Sequence, residues 1–478
     1  MNFAVEFEKK PLFKILQQAA QKIEVPAYVV GGYVRDFILT RPSKDIDIVC
    51  IGSGIALAKE FATHLPQPTQ VSFFKNFGTA MVKTEEFEVE FVGARKESYD
   101  RNSRKPIIED GTLEDDQNRR DFTINAMAVS LQSENFGKLI DPFGGLQDLK
   151  KRTIRTPLAP GITYSDDPLR MMRAIRFAAQ LNFDIDHDSF TALQANKERI
   201  KIVSGERIAD ELNKIILSST PSYGFKLLFH SGLLHLIFPE FTALQGVETI
   251  NGKSHKDNFY HTLQVLDNIS KKTDDLWLRW AAILHDIAKP PTKRFDKKQG
   301  WTFHGHEDKG ARMVKPIFRR LKLPLDDRMR MVEKLVRLHL RPIALVKDSI
   351  TDTAIRRLIY EAGDDLEGLM MLCRADITSK NHQRVQKYLA NFNKLEQKIA
   401  NVEARDQIRN FQPVITGEVI METFGLTPSK IVGDIKIKIR EAILDGELKN
   451  NYEEAYQFML AIGKTLGLKS ITESHDTE

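Results

Sequence analysis

Apolar residues recur along this chain in two different rhythms. Residues 1–24 show the i, i+3, i+4 spacing of one amphipathic helix. Residues 25–150 break into short apolar runs separated by glycines and polar stretches, with one helical segment among them, as in an α/β or α+β unit. Tyr28-Val29-Val30, the stretch VSFFKNFGTAMV from Val71 and the stretch EFEVEFV up to Val92 predict strands. The polar stretch from Tyr99 to Asn118 predicts a long mobile loop, a kind of segment often tied to function. From Asp166 onward the spacing is helical nearly to the end, with breaks predicted at Pro221, at Pro239 and across 246–256. The last residues, Ser470 to Glu478, predict a frayed terminus.

The segment from Gly31 to Cys50 reads GGYVRDFILTRPSKDIDIVC. Gly31-Gly32 ends the first strand with backbone that lets a ligand approach closely. Asp45 and Asp47 lie in the next strand, where the period of two turns both carboxylates to one face and Ile46 and Ile48 to the core. Paired carboxylates repel unless a cation sits between them, and hard ions such as Mg2+ favour oxygen ligands. Two such ions about 4 Å apart activate a hydroxyl and steady a leaving pyrophosphate. A solvent-facing edge strand with two ordinary aspartates is the alternative; the glycine pair and Arg35-Asp36 in the same segment favour a nucleotidyltransferase site.

Two further motifs carry chemistry. In RRDFTINA, Arg119 and Arg120 suit a triphosphate, and Asp121 suits a ribose hydroxyl or the cap of a following helix. In DDPLRMMRAIRF, Asp167 and Arg170 are three apart, on one face of a predicted helix. A carboxylate that accepts and a guanidinium that donates together match the base edges of cytosine and adenine, and oppose those of uracil and guanine. A surface ion pair is the plainer account of the same spacing.

Composition adds limits. With 478 residues, 42% hydrophobic and 28% charged, the chain suits about three globular domains. No apolar run reaches membrane-spanning length, and MNFAVEFEKK has no signal-peptide core. Two distant cysteines, Cys50 and Cys373, suit buried thiols in a reducing cytoplasm. The net charge of +5 says little, but cations cluster at Arg319–Lys322, at Arg328–Arg341 and at Lys436–Arg440, where an RNA backbone or plain solvent is the expected partner.

GGYVRD, DID, RRDFTINAMA, DPFGGLQDL and DDPLRMMRAIRF, in this order, resemble the successive motifs of bacterial-type (class II) tRNA nucleotidyltransferases, the CCA-adding enzymes of the poly(A) polymerase head-domain superfamily. The likeness covers residues 11–240 well, and ITGEVIMETFGL extends it into the tail. It implies an α+β chain: a polymerase-β-like mixed-sheet head at 1–158, a helical neck with the nucleotide-selecting template at 159–250, a metal-dependent domain at 251–400 and a helical tail at 401–478. It implies that Asp45 and Asp47 bind catalytic Mg2+, with Glu90 a candidate third carboxylate. Gly31, Gly32 and Arg35 would contact the triphosphate, and Arg119, Arg120 and Asp121 the phosphates and ribose. Asp167 and Arg170 would select CTP and ATP, supported by Arg173 and Arg176. One departure is Asp166, where the family usually has Glu. The implied partner is the acceptor end of tRNA.

Seven of the twelve histidines fall between His255 and His382. Leu284-His285-Asp286 and the residues around it resemble the HD superfamily of phosphohydrolases, with His261, His285, Asp286 and Asp376 as implied ligands and His306 and His339 completing a second metal position. Imidazole with carboxylate suits Mn, Fe, Co, Ni or Zn. The expected activity is therefore CCA addition with a fused HD domain. The alternatives are an A-adding specialist, a poly(A) polymerase, or an HD phosphohydrolase with an RNA-binding head.

Overall fold

The computed structural model describes residues 3–74, 78–99, 106–347, 351–379 and 381–471. They divide into two compact units, one of Met1–Ala243 with Arg320–Leu323, the other of Leu244–Arg319 with Pro324–Glu478.

The first unit holds strands β1 (Ala27–Val30), β2 (Asp45–Cys50), β3 (Val71–Phe74), β4 (Thr79–Lys83), β5 (Glu88–Gly93), β6 (Arg95–Tyr99), β7 (Pro106–Asp110), β8 (Ala128–Ser130) and β9 (Leu139–Ile140). Seven of them form one sheet in the order β3-β4-β5-β2-β1-β8-β9. β2 and β5 run parallel, and the other neighbours are antiparallel. A parallel pair needs a crossover. Here the helix Gly54–Thr63 and the β3–β4 hairpin supply it, and Phe61 of that helix packs against Phe91 of β5 with ring centroids 5.4 Å apart. Ile46, Ile48, Val89 and Phe91 are fully buried, while Asp45 is exposed and Asp47 half-buried. The strand alternation thus places the carboxylates of β2 on the open side of a sheet whose other side is core.

Several expectations need correction. Residues 1–24 form two helices, Phe3–Glu8 and Pro11–Lys22, because Pro11 can start a helix but cannot continue one. The stretch Tyr99 to Asn118 is not a plain loop. β6 and β7 pair as an antiparallel hairpin, and Leu113–Asn118 is a helix closed by a reciprocal Thr112–Asp115 capping box. Residues 100–105 of the expected loop lie outside the described residues. The strand expected from Val71 is two strands, β3 and β4, and 75–77 between them also lie outside. Ser470 is buried rather than frayed, and 472–478 lie outside the described residues.

A short parallel pair, Thr153–Ile154 with Asp184–Ile185, and helices complete the first unit, among them Pro160–Asp166, Leu169–Leu181, Gly205–Ile216 and Pro221–His230. Among its described residues the second unit is helical apart from two small hairpins, Thr249–Ile250 with Lys253–Ser254 and Arg294–Asp296 with Gly300–Thr302. Pro221 and Pro239 each open a helix, as residues without an N–H to donate can. Cys50 and Cys373 are buried free thiols. No helix among the described residues is long and apolar enough to cross a membrane.

Candidate active site and metal centre

In the first unit the open side of β2 and β5 forms one wall of a cavity of about 760 Å3. The register of the parallel pair sets Asp47 opposite Glu90 and Asp45 opposite Glu88, so four carboxylates share the wall. Burial raises the pKa of Asp47 most, Arg120 pulls it back, and Asp45 raises it further. Glu90 is raised by burial and then by Asp47. Clustered acids destabilised by one another and by burial are the donor set a hard divalent cation needs.

Gly31 follows β1 with φ +75°. A Cβ there would lie 2.8 Å from Oδ2 of Asp47 and 3.2 Å from Nη1 of Arg120. No L-residue combines that backbone with that clearance. Gly31 and Gly32 both line the cavity.

The opposite wall is cationic. The helix Leu169–Leu181 projects Arg173, Arg176 and Phe177 into the cavity. The guanidiniums of Arg35, Arg173 and Arg176 lie 5.0, 5.4 and 4.1 Å from the centre of the Phe177 ring, a hub for three cations. Arg35 donates to Oδ1 of Asn125 at 2.8 Å and grips Asp36. Arg120 donates its Nε to Oδ2 of Asp116 at 2.9 Å.

Asp121 is buried and fully used. Its Oδ1 accepts from the backbone of Phe122 (2.8 Å) and from Asn125 (3.0 Å), and its Oδ2 accepts from Nε of Arg173 (2.8 Å). Burial is the largest single effect and opposes its charge, but Arg173, the hydrogen bond from Asn125 and the nearby Arg170 together outweigh it and hold the carboxyl down to about 2. The expected helix cap is corrected here, since the chain beyond Asp121 forms a single 3-10 turn, Thr123–Asn125. Asp121 instead orients Arg173.

Arg119, Asp167 and Arg170 are not among the residues that line this cavity. Arg119 is held by Asp116 and by Glu97 at 3.2 Å. Arg170 donates to the carbonyl of Arg119. Asp167 is extended, outside the helix, with Oδ1 accepting from the backbone N–H of Leu169 at 3.2 Å. The expected placement of Asp167 and Arg170 on one helical face is corrected accordingly: Pro168 caps the helix after Asp167, so Asp167 immediately precedes the helix that carries Arg170. Asp116, Asn125 and Glu211, which position the arginines, are residues to which the sequence motifs assign no role. Asp116 falls within the expected loop, though its place three and four residues before Arg119 and Arg120 is a signal for it.

In the second unit the expected histidines and aspartates converge. His261, His285 and Asp286 form one triad of donor atoms within 4.8 Å, and Asp286, His306 and His339 form another. Asp286 is shared, with Oδ2 3.2 Å from Nε2 of His285 and Oδ1 3.3 Å from Nε2 of His306. Asp376 joins through Nε2 of His261 at 2.9 Å. His285, His339 and Asp376 each come directly after the last turn of a helix. Nδ1 of His285, His306 and His339 each lies 2.7–2.8 Å from the carbonyl three residues earlier. A carbonyl only accepts, so Nδ1 carries the proton, and in the neutral ring the lone pair is on Nε2; at His285 burial favours that neutral ring, while Asp286 and Asp376 outweigh burial and raise its pKa. Nε2 of His285 and of His306 is buried without a hydrogen bond, facing carboxylate oxygen. Acceptor against acceptor in a buried site fits a bound metal. Burial, with His285 nearby, lowers His339 to about 4, which keeps it neutral as a ligand must be. A cavity of about 740 Å3 reaches this centre at His261 and Asp376. Lys289 donates to Oδ2 of Asp286 at 2.6 Å.

The basic runs are less free than their sequence suggests. Arg328, Arg330, Lys334 and Arg337 pair with Asp326, Asp327, Asp365 and Glu333.

Comparison with known proteins matches three stretches of the chain. The profile for the poly A polymerase head domain matches residues 27–155, that for the probable RNA and SrmB-binding site of polymerase A matches 182–245, and that for the HD domain matches 258–379. An A-adding tRNA nucleotidyltransferase of Deinococcus radiodurans is 34% identical over 350 residues, which span 70% of this chain and 76% of that protein. A multifunctional CCA protein of Pseudoalteromonas atlantica is 31% identical over 370 residues, spanning 73% and 84%. The solved structure of a Thermotoga maritima CCA-adding enzyme complexed with tRNA(CCA) shares the fold, with a TM-score of 0.60 at 21% identity over 96% of this chain and 98% of that one. On the identity and span of these relatives, and on the head cleft and histidine cluster described above, this chain is an enzyme of the tRNA nucleotidyltransferase family, with a poly(A) polymerase head domain and a fused HD domain.

Proposed function

We propose that this protein completes the 3′ end of tRNA in the cytoplasm, adding C and A from CTP and ATP and releasing pyrophosphate. The observation that carries the reading is the head cleft, where Asp45, Asp47 and Glu90 face Arg120, Arg173 and Arg176 across a space sized for a nucleotide. The tRNA 3′ oxygen forms a bond to the α-phosphorus as the bond from that phosphorus to the bridging oxygen breaks. Asp45 and Asp47, with Glu90, would hold Mg2+ in a two-metal arrangement, which when bound supplies charge for the attacking and leaving oxygens. Arg120, Arg173 and Arg176 neutralise the triphosphate, with Arg35 bracing that wall. Gly31 and Gly32 keep the floor open for phosphate oxygens. Asp121 fixes Arg173 and would also accept from a ribose hydroxyl. Asp167 and Arg170 select the base, and Arg119, whose carbonyl accepts from Arg170, positions that pair.

The domain limits that go with this reading are a head at 1–158, a neck at 159–250, an HD domain at 251–400 and a tail at 401–478. His261, His285, Asp286, His306, His339 and Asp376 would hold one or two transition-metal ions, whose chemistry when bound is activation of water toward a phosphate ester. The acceptor arm would meet cations of the tail helix Lys430–Asp445 by shape and phosphate contacts.

Transcripts of tRNA ending before CCA, after C and after CC, each offered CTP, ATP and Mg2+, test the reading. Completion of all three supports CCA addition. Extension of the CC-ending transcript alone supports the second reading, A-addition, which the name of the Deinococcus relative favours. No incorporation on any transcript defeats both. In the same assay Asp167→Ala and Arg170→Ala should each blur the choice of CTP and ATP over UTP and GTP; unchanged selectivity would remove them from base selection.

A further inference from the structure

The second unit carries a small lobe that the nucleotidyltransferase reading leaves unused. It consists of the two hairpins, Thr249–Ile250 with Lys253–Ser254 and Arg294–Asp296 with Gly300–Thr302. They are tied into one body. Lys253 donates its ammonium to the carbonyls of Lys297 (3.3 Å) and Lys298 (2.8 Å), and Trp301 donates its indole N–H to the carbonyl of Lys253 (3.1 Å). His255, Phe295 and Trp301 pack edge to face at 5.3 Å, and the ammonium of Lys293 lies 5.1 Å from the centre of Trp301.

The acids of the lobe are engaged. Glu248 pairs with Lys293. Asp296 accepts from the backbone N–H of Lys298 and Gln299 and closes the hairpin turn. Asp257 accepts from the backbone N–H of Gly246, Phe259 and Tyr260. Lys256, Arg294, Lys297 and Lys298 are exposed and make no ion pair among the described residues. These four cations outnumber the two carboxylates beside them, Asp257 and Asp296, which are tied to backbone N–H groups, so the lobe keeps a positive excess unlike an ordinary solvated face, where both signs balance. It also differs from the paired run Arg328–Arg337 in the same unit.

The lobe borders the metal centre. Lys256 and the 42%-exposed ring of Tyr260 line the cavity that reaches His261 and Asp376. On the other flank, Lys289 bonds Asp286 and leads through the short helix Lys289–Thr292 into the second hairpin.

We propose that this lobe binds single-stranded RNA and directs it to the mouth of the HD cavity. Cations spread over the second hairpin and, at Lys256, just beyond the first match a run of phosphates rather than one mononucleotide, and the exposed face of Tyr260 at the entrance offers a base a stacking partner. The proposal concerns binding and rests on neither nucleotide addition nor hydrolysis.

The test uses the full chain and a labelled single-stranded oligoribonucleotide of about a dozen nucleotides, with fluorescence anisotropy measured over a range of salt. The variant Arg294→Glu/Lys297→Glu/Lys298→Glu alters exposed side chains only. Lys271→Glu/Lys272→Glu/Lys394→Glu makes the same change of charge elsewhere in the unit. Loss of three phosphate contacts predicts affinity weakened about tenfold or more and a log–log salt slope shallower by about 2. The control should keep the wild-type values, and both variants should keep the wild-type circular dichroism and Tm. Equal weakening in the control would reduce the effect to net charge and overturn the proposal. Unchanged RNA affinity would overturn it too, and if binding to phosphatidylserine vesicles were lost instead, the surface would be one for membranes.

Discussion

Asp47 of β2 and Glu90 of β5 stand directly opposite each other on parallel neighbouring strands, both turned into the head cleft and both raised in pKa by burial. Nothing local in either segment pairs them; the crossover that makes β2 and β5 neighbours does. Glu90→Gln should raise the Mg2+ concentration needed for half-maximal incorporation. In metal-free buffer it should raise Tm slightly, because a like-charge contact is removed. A titration of activity against Mg2+, with thermal melts in chelator, checks both. An unchanged Mg2+ requirement would take Glu90 out of the metal site.

Asp45→Ala should abolish nucleotide incorporation while leaving metal content at the HD centre as in the wild type. Incorporation assays with elemental analysis of the purified protein separate the two sites. Persisting incorporation would sink the carboxylate assignment.

Gly31→Ala introduces a methyl group 2.8 Å from Oδ2 of Asp47 at a backbone φ of +75°. With ψ −138° this is backbone close to the glycine-only region, and its cost alone is about 1–3 kcal/mol. The methyl also displaces Asp47 or Arg120, so kcat should fall more than the loss of stability accounts for. Urea unfolding beside single-turnover kinetics checks this.

Asp121 gives a pH dependence with a definite sign. Its carboxyl is held down to about 2 in the fold, below its unfolded value. Its stabilisation is therefore fully present above about pH 4 and is lost as pH falls through about 2, a contribution on the order of 2 kcal/mol. Asp121→Asn should lose most of that at neutral pH, with a smaller difference from the wild type near pH 2. Denaturant midpoints at both pH values decide it.

Chelation should lower the Tm of the second unit, by an amount set by RT ln(1 + [M]/Kd), about 2.7 kcal/mol at a hundredfold excess over Kd. Asp286→Asn, which weakens a ligand shared by both triads, should remove bound metal and abolish the chelator effect while nucleotide addition persists. A chelator effect that survives the substitution would place the metal elsewhere.

Much of the head cleft was legible along the chain because its parts are local. Strand parity turned Asp45 and Asp47 together and buried Ile46 and Ile48, and Gly31 stood where a strand had to end against a ligand. The histidines and aspartates that converge in the second unit were legible as a set, since histidines are sparse elsewhere in the chain. The hairpin and helix within Tyr99–Asn118 were missed because polarity masked them: the hairpin lies outside the main sheet, and the helix is set by the Thr112–Asp115 box and the buried Asp116 rather than by apolar periodicity. The basic run from Arg328 looked free because ion pairs with Asp365 and its neighbours leave no pattern in apolar spacing.

By itself, then, the sequence determined what short-range rules govern: which side chains share a strand face, where proline and glycine stop or start an element, and which residue types were available for phosphate and metal. Tertiary structure alone decided what contacts across long separations decide. It set Glu90 against Asp47, bound Arg173 to Asp121 from 52 residues away, gathered three arginines around Phe177 and turned four imidazoles toward two carboxylates. The physical reason is that charge and hydrogen-bond partnership act through space at a few ångströms, and distance along the chain does not reveal which groups come that close.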